Sequence, residues 1–427
     1  MTIDGRAKAT LSFAVSGDTI ESWESIEWTE SYMDPLGSLR VRLRPLRKQV
    51  QDYFRQTVKG SPVKLFLDGA IQCKYLITTR QTTIGNEGVI IDIECKSVLV
   101  VPYEGSVNPN IAKKYGANVT ISTVVQDALR DYGYKQLVAT EESVDINIKA
   151  GGKVKNAVSK EQPVVVSKIK HKDIQPQPSE TAYGFCSRIF SKYGLVLRAS
   201  AFGELILSYP RYKDLSLYSI VAGPLKNVPS DADRAMGDVK ISETTDNLFS
   251  EVVVSGRKVQ NKKTKRTNQP SFRLKVDYDS NNSKSIEGRP DIAYQNSLTG
   301  FLENKYFHYQ SVPDYRYKPK FVFDKSSQDK DRCKNMAFMV MYMNTSKGFT
   351  LDVLLDGIRS KTGNIWTINT MCDVRVALSP EQTTTESFQE RMLVFKKTVR
   401  IDSSGQSTAL TLIPEFSLRL GPRPGQS

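Results

Sequence analysis

Few residues in this 427-residue chain have the type and spacing that catalysis needs. Two histidines occur, His171 and His308, each in a polar context and neither a helical turn away from a second ligand or a nucleophile. A zinc enzyme or a Ser/His/Asp hydrolase requires more than this. The five cysteines, Cys73, Cys95, Cys186, Cys333 and Cys372, are scattered with no C-x-x-C pair, the pattern of buried thiols in a reducing compartment. Neither a G-x-x-x-x-G-K-[ST] loop nor a G-x-G-x-x-G turn is present to cradle a nucleotide. Neighbouring carboxylates such as Glu141 and Glu142 lie in a polar segment, without the apolar surroundings that raise a general acid's pKa. A glycan-cleaving pair drawn from distant positions stays open as a minor alternative. The expectation is no enzyme, no metal and no cofactor.

Charge carries more information. The net charge is +14, which invites a nucleic-acid reading. Much of the excess sits in two runs, Lys153 to Lys172 and Arg257 to Arg273, that read as loops. Within the second, Lys262, Lys263, Lys265 and Arg266 lack the interleaved aromatics of a single-strand platform. A solvated loop or an acidic protein neighbour is the economical account, and no specific nucleic acid is expected. Leu39-Arg40-Val41-Arg42-Leu43-Arg44 alternates strictly, so period two sends the aliphatics to one face and the three arginines to the other. Such a face is costly to bury unpaired and points to water or to an acidic partner. Arg40, Arg42, Arg44, Lys262, Lys263, Lys265 and Arg266 are the interface candidates.

The elements that must position these residues are mostly strands. Residues 1–105 give short alternating runs: Lys8 to Val15, Ile20 to Trp28, Leu39 to Arg44, a hairpin turning at Asp68-Gly69, and Val89 to Ile93. A closed or sandwich-like β domain is expected there. Residues 106–235 change character. Ser122 is read as capping a helix with Val125, Ala128, Leu129 and Tyr132 on one stripe, stopped at Gly133. Ser179 is read as the N-cap of a second helix, with Ala182, Phe185, Ile189 and Tyr193 in step and Gly194 as its end. A hairpin through Leu195-Val196-Leu197 and Leu205-Ile206-Leu207 then packs beneath it, making a small α/β domain. Residues 236–257 and 321–427 are assigned to a second β domain, with 258–320 a polar insertion or loop-rich subdomain. There Cys333, Met336, Ala337, Val340 and Met343 mark one helix face, read as core filler. Leu-Asp-Gly occurs at 67–69 and at 355–357, a hint of duplication. No apolar run approaches a membrane span and the first twenty residues lack a signal-peptide core, so neither anchor nor export signal is expected.

The stretch from Glu180 to Pro210, a helix with a Glu-Thr-Ala-aromatic start and a Gly exit followed by a hairpin, resembles the central element of phage tail baseplate hub proteins of the phage Mu type. Gly363-Asn364-Ile365-Trp366-Thr367-Ile368-Asn369 is similar to that family's Gly-x-x-Trp-x-x-Asn stretch, and the first domain's order of turns resembles its first barrel. The resemblance implies a β-rich α+β fold, two tail-tube-like β-barrel domains flanking a small α/β domain, with an insertion in the second barrel. It implies a homotrimer that joins a hexameric tail tube protein to a trimeric tail spike protein, contacts other baseplate proteins and aids host-envelope penetration. The location implied is the virion tail baseplate, after assembly in the bacterial host cytoplasm. A hub of a non-phage contractile injection particle and a basic nucleic-acid-binding β protein are the alternatives.

Overall fold

The computed structural model describes residues 7–13, 19–20, 23–86, 88–111, 118–134, 137–138, 168–170, 175–190, 195–208, 210–211, 214–225, 228–243, 251–260, 267–275, 319–324, 330, 333–334, 336–337, 340, 349–377, 379 and 388–414. His171, His308, Glu141, Glu142, Tyr193, Gly194, Met343 and the basic run Lys262–Arg266 lie outside the described residues.

The first block has seven strands: β1 (Ala9–Phe13), β2 (Thr19–Ile20), β3 (Ser25–Ser31), β4 (Ser38–Leu43), β5 (Pro62–Leu67), β6 (Ala70–Gly85) and β7 (Gly88–Ser97). Helix α1 (Val50–Gln56) joins β4 to β5, and α2 (Val100–Glu104) follows β7. Period-two burial fixes their faces: Leu39, Val41 and Leu43 of β4 and Val63, Leu65 and Leu67 of β5 all point into one core. The Asp68-Gly69 turn joins β5 to β6 with both residues at positive φ, 51° and 80°, the twist that a two-residue hairpin needs. At Gly37 (φ +53°) a Cβ would collide with Tyr75 Oη and the Thr29 carbonyl, so the turn before β4 accepts only glycine.

The middle region contains β8 (Asn118–Thr120), α3 (Ile121–Arg130), β9 (Leu137–Val138), β10 (Lys168–Lys170), α4 (Ala182–Phe190), β11 (Val196–Ala199) and β12 (Leu205–Ser208). β11 and β12 form the expected hairpin, and β9 adds to β12 in parallel. Val124, Val125, Ala128 and Leu129 of α3 meet Ala182, Phe185 and Ile189 of α4 in a separate core. Both helix starts differ from the sequence reading. Ser122 lies inside the first turn of α3. Ser179 has φ +60°, whereas an N-cap sits in the extended region. Thr181 caps α4 instead, its Oγ1 accepting the Gly184 amide at 3.0 Å. Glu180 receives both ends of the Arg188 guanidinium, at 2.7 and 2.9 Å, and the Gln177 amide at 2.9 Å.

The last block has β13 (Tyr218–Ala222), β14 (Asp233–Arg234), β15 (Lys240–Glu243), β16 (Glu251–Gly256), β17 (Val259–Gln260), β18 (Thr267–Asn268), β19 (Ser271–Lys275), β20 (Pro319–Asp324), β21 (Phe349–Asp356), β22 (Met371–Val376), β23 (Phe388–Asp402) and β24 (Gly405–Pro414). Three strands stand apart from the boundaries drawn on sequence: β13 and β14, which fall within 106–235 yet belong to the large sheet, and β16. β13 pairs in parallel with β22, because its Tyr218, Ile220 and Ala222 belong to the same core as Val374 and Val376. β16 pairs with β19 and β20 in a small sheet of its own. Val252 and Val254 of that sheet, with Cys333 and Ala337, cover Met371, Leu393 and Ile413 on the outer face of β22, β23 and β24. Met336 and Val340 pack there too, as core filler should.

Among the described residues, fourteen strands form one continuous sheet. In space the first block runs β2-β1-β5-β6-β7-β4-β3 and the last block runs β14-β13-β22-β23-β24-β21-β15. Each block contributes seven strands, and taken in chain order the two spatial orders are the same. The one difference in direction is at the first strand: β1 is antiparallel to β5, whereas β13 is parallel to β22. The Leu-Asp-Gly repeat is not part of this correspondence, since Asp68-Gly69 turns a hairpin while Leu355-Asp356-Gly357 leads out of β21 toward a strand that β21 does not pair with.

Burial pushes the Glu180 carboxyl up, but the Arg188 guanidinium and the Gln177 amide outweigh it and hold the group below its ordinary value. A carboxyl so held adds stability above its unfolded pKa, about 4.3, and loses it as pH falls through the folded value. Glu180→Gln is therefore expected to lower the urea midpoint at neutral pH and to flatten its decline below about pH 4.3. Urea titrations at a series of pH values check this.

Candidate functional site

β23 is the strand that both blocks share. Its first part, Phe388 to Leu393, pairs with β22, and its last part, Lys396 to Asp402, pairs with β3. Met392 and Val394 line the core of the last block, while Val399 and Ile401 line that of the first. Phe395 is the extra residue at a break in register with β24. Two residues on, Lys397 is buried at the crossing, its side chain 3% exposed. Its Nζ donates to the Trp366 carbonyl at 3.0 Å, lies 2.9 Å from Glu30 Oε2, and sits 3.7 Å from the centre of the Trp28 ring. Trp366 is itself fully buried, 4.4 Å from the Tyr218 ring. Tyr218 Oη donates to the Ile365 carbonyl and accepts the Thr367 amide. Asn369, at φ +61°, donates its amide to the Val394 carbonyl at 2.8 Å. The Gly363 to Asn369 stretch thus fastens onto β23 beside its register break.

The blocks meet at their ends as well. Asp68 accepts the Lys8 amide at 2.7 Å and the Arg359 guanidinium at 2.8 Å. The Gln406 amide spans to Ala7, accepting its N–H at 3.1 Å and donating to its carbonyl at 2.6 Å.

Arg40, Arg42 and Arg44 lie together on one exposed face, as period two requires, and each has an acid within the sheet. Across four strands the signs alternate: Arg400 on β23, Glu27 on β3, Arg40 on β4 and Glu94 on β7. Their contacts are 2.9 Å for Arg400–Glu27, 3.8 Å for Arg40–Glu27 and 3.9 Å for Arg40–Glu94. Arg42 reaches Asp92 at 2.8 Å and Arg44 reaches Glu24 at 3.6 Å. Pairs this exposed contribute roughly 0–1 kcal/mol each, so the row defines a surface more than it stabilises one. The acids were visible in the sequence, since Ile91-Asp92-Ile93-Glu94 alternates as β4 does. What period two does not tell is which strand lies next to which. For Lys397 the signal was fainter: in Lys396-Lys397, consecutive strand residues, one side chain has to point inward.

All five cysteines are buried and free. Burial pushes the thiols of Cys73, Cys95, Cys186 and Cys372 up, so they stay protonated and unreactive at neutral pH. Among the described residues no group of three His, Cys, Asp or Glu could hold a metal ion, and no helix is long and apolar enough to cross a membrane.

No protein-family model matches the chain. No curated protein matches it either. Among solved structures it is similar to the tail protein from Neisseria meningitidis MC58, with a TM-score of 0.66 and 14% identity over 97% of this chain and 99% of that one. It is also similar to the 43 kDa tail protein of prophage MuSo2 from Shewanella oneidensis, with a TM-score of 0.64 and 12% identity over 96% of this chain and 99% of that one. The fold is that of these tail proteins over nearly the whole chain.

Removing one partner of a buried ion pair strands the other. Lys397→Met is expected to destabilise the protein by about 3 kcal/mol, and adding Glu30→Gln to recover part of that loss. Urea midpoints of the single and double variants measure it.

Proposed function

We propose that this chain is the hub of a phage tail baseplate, a structural ring component with two tube-like β domains flanking a small α/β domain. One observation carries the reading: the same seven-strand order occurs twice in one polypeptide. Two like blocks per chain let three copies present six, which is what a homotrimer needs to meet a hexameric tail tube protein on one side and a trimeric tail spike protein on the other. The shared fold with two tail proteins supports the placement in a tail. On this reading the protein acts by contact, with other baseplate proteins around it, and transmits the tail's action on the host envelope. It would be assembled in the bacterial host cytoplasm and reside in the virion's baseplate.

The face of Arg40, Arg42 and Arg44 is the proposed contact for a neighbouring subunit. Its alternating signs suit a partner surface with the opposite alternation, which makes the contact selective and salt-sensitive. Lys262, Lys263, Lys265 and Arg266 form the second proposed contact, a basic run for an acidic wall.

The test is solution mass together with nucleic-acid binding. Light scattering is expected to give about 144 kDa, three times the 47.9 kDa chain, with no DNA retained at physiological salt. A monomer that binds DNA with a steep salt slope would overturn the reading in favour of a basic nucleic-acid-binding protein.

A further inference from the structure

The second half of β6 leaves a strand edge unused among the described residues, although the matching edge in the last block is fully paired. The match is residue by residue. β6 breaks register after Ile77 and β23 after Val394. β6 turns into β7 with Gly85 opposite Gly88, and β23 turns into β24 with Asp402 opposite Gly405. One constant shift therefore carries Ile77 onto Val394, Gly85 onto Asp402 and Gly88 onto Gly405. It also carries Arg80 onto Lys397. Arg80 Nη1 donates to the carbonyls of Phe54 at 3.0 Å and Thr57 at 3.2 Å, in the connection between β4 and β5. Lys397 donates to the carbonyl of Trp366, in the corresponding connection between β21 and β22. The two cations occupy one position in a repeated structure.

What differs is the neighbour. Lys396 to Asp402 of β23 is covered by β3, and Ile401 is buried there. Among the described residues, Thr79 to Gly85 of β6 pairs with β7 alone, and Ile84, in the place of Ile401, is 79% exposed. The strand corresponding to β3 is β15. Trp28 faces Leu39, which faces Cys95; Ile241 faces Leu351, which faces Leu412. Like β6, β15 has one edge against its own block and, among the described residues, no strand on the other.

We propose that the Thr79 to Gly85 edge of one copy pairs antiparallel with β15 of a second copy, repeating between chains the contact that β23 and β3 make within one. This deepens the ring reading above and rests on it. The repeat sets the register: Gln81 falls opposite Ser242, Thr82 opposite Ile241 and Thr83 opposite Lys240. Extended by one residue at each end, it brings Ile84 opposite Val239 and Arg80 opposite Glu243, as Lys397 is opposite Glu30. Backbone hydrogen bonds of an added strand supply affinity, and a head-to-tail contact of two different edges forms a ring when its rotation closes. The exposed isoleucine is the apolar centre that a second copy covers.

The within-chain counterpart of the Gln81 and Ser242 pair is Thr398 with Thr29, whose Oγ1 atoms are 3.0 Å apart, close enough for a disulfide in their place. The full-length double variant Gln81→Cys with Ser242→Cys is expected to oxidise to covalent dimers and trimers on a non-reducing gel. The five native thiols are buried and stay silent. Thr79→Cys with Lys240→Cys, four residues out of register, is expected to give none. Ile84→Glu is expected to weaken association roughly ten- to a hundredfold while leaving the melting point of the monomer unchanged. An oligomer that forms undiminished while the Gln81→Cys, Ser242→Cys variant yields no covalent link, or that withstands Ile84→Glu, overturns this edge pairing and leaves the ring reading standing. A folded chain that stays monomeric at every concentration overturns both.

Discussion

The architecture depends on one strand belonging to two cores. β23 gives Met392 and Val394 to one block and Val399 and Ile401 to the other, and the ammonium of Lys397 sits at the crossing. A lone ammonium there would be intolerable, so its surroundings are completed from both sides. The first block supplies Glu30 and the Trp28 ring, and the last supplies the Trp366 carbonyl. Neither block satisfies Lys397 alone. The polar contact therefore specifies how the two blocks meet, which greasy packing, indifferent to small slips, would leave looser.

The ends of the blocks repeat this logic with cheaper parts. Gln406 uses both of its polar atoms on Ala7 of the opposite block, and Asp68 holds Lys8 of its own block with one oxygen and Arg359 of the other block with the second. The surface row of Arg400, Glu27, Arg40 and Glu94 crosses the same seam with exposed charges. Burial grades these contacts. The ammonium defines the joint, the half-buried clasps align it, and the surface row offers itself to neighbours.

Much of the fold was legible because strands announce themselves by period two and turns by their residues. The Asp68-Gly69 hairpin, the inward faces of β4 and β5, the α3 and α4 stripes and the β11–β12 hairpin all follow from local rules. The start of α4 was misjudged because two hydroxyl residues, Ser179 and Thr181, compete there. Only the backbone angles reveal that Ser179 turns left-handed and Thr181 caps. Pairing across long separations stayed hidden. Nothing local tells Tyr218 to Ala222 to lie beside Met371 to Val376, or Glu251 to Gly256 to leave the large sheet. The arginine face was legible as a face but not as a row, since Glu94 and Arg400, which extend it, come from strands distant from β4 in the chain.

The extra residue in β23 has an effect out of proportion to its size. Before Phe395 the inward positions are even-numbered, Met392 and Val394; after it they are odd, Lys397, Val399 and Ile401. In β6 the phase changes at the same place, from the buried Cys73, Tyr75 and Ile77 to Arg80, whose guanidinium turns in to the Phe54 and Thr57 carbonyls. Each long strand thus behaves like a sentence whose reading frame shifts midway. Deleting one letter at position 395 would turn everything after it inside out, sending Val399 and Ile401 to solvent and Arg400 inward. Insertions and deletions at that point would be far less tolerated than substitutions, and the same asymmetry should hold at Thr78.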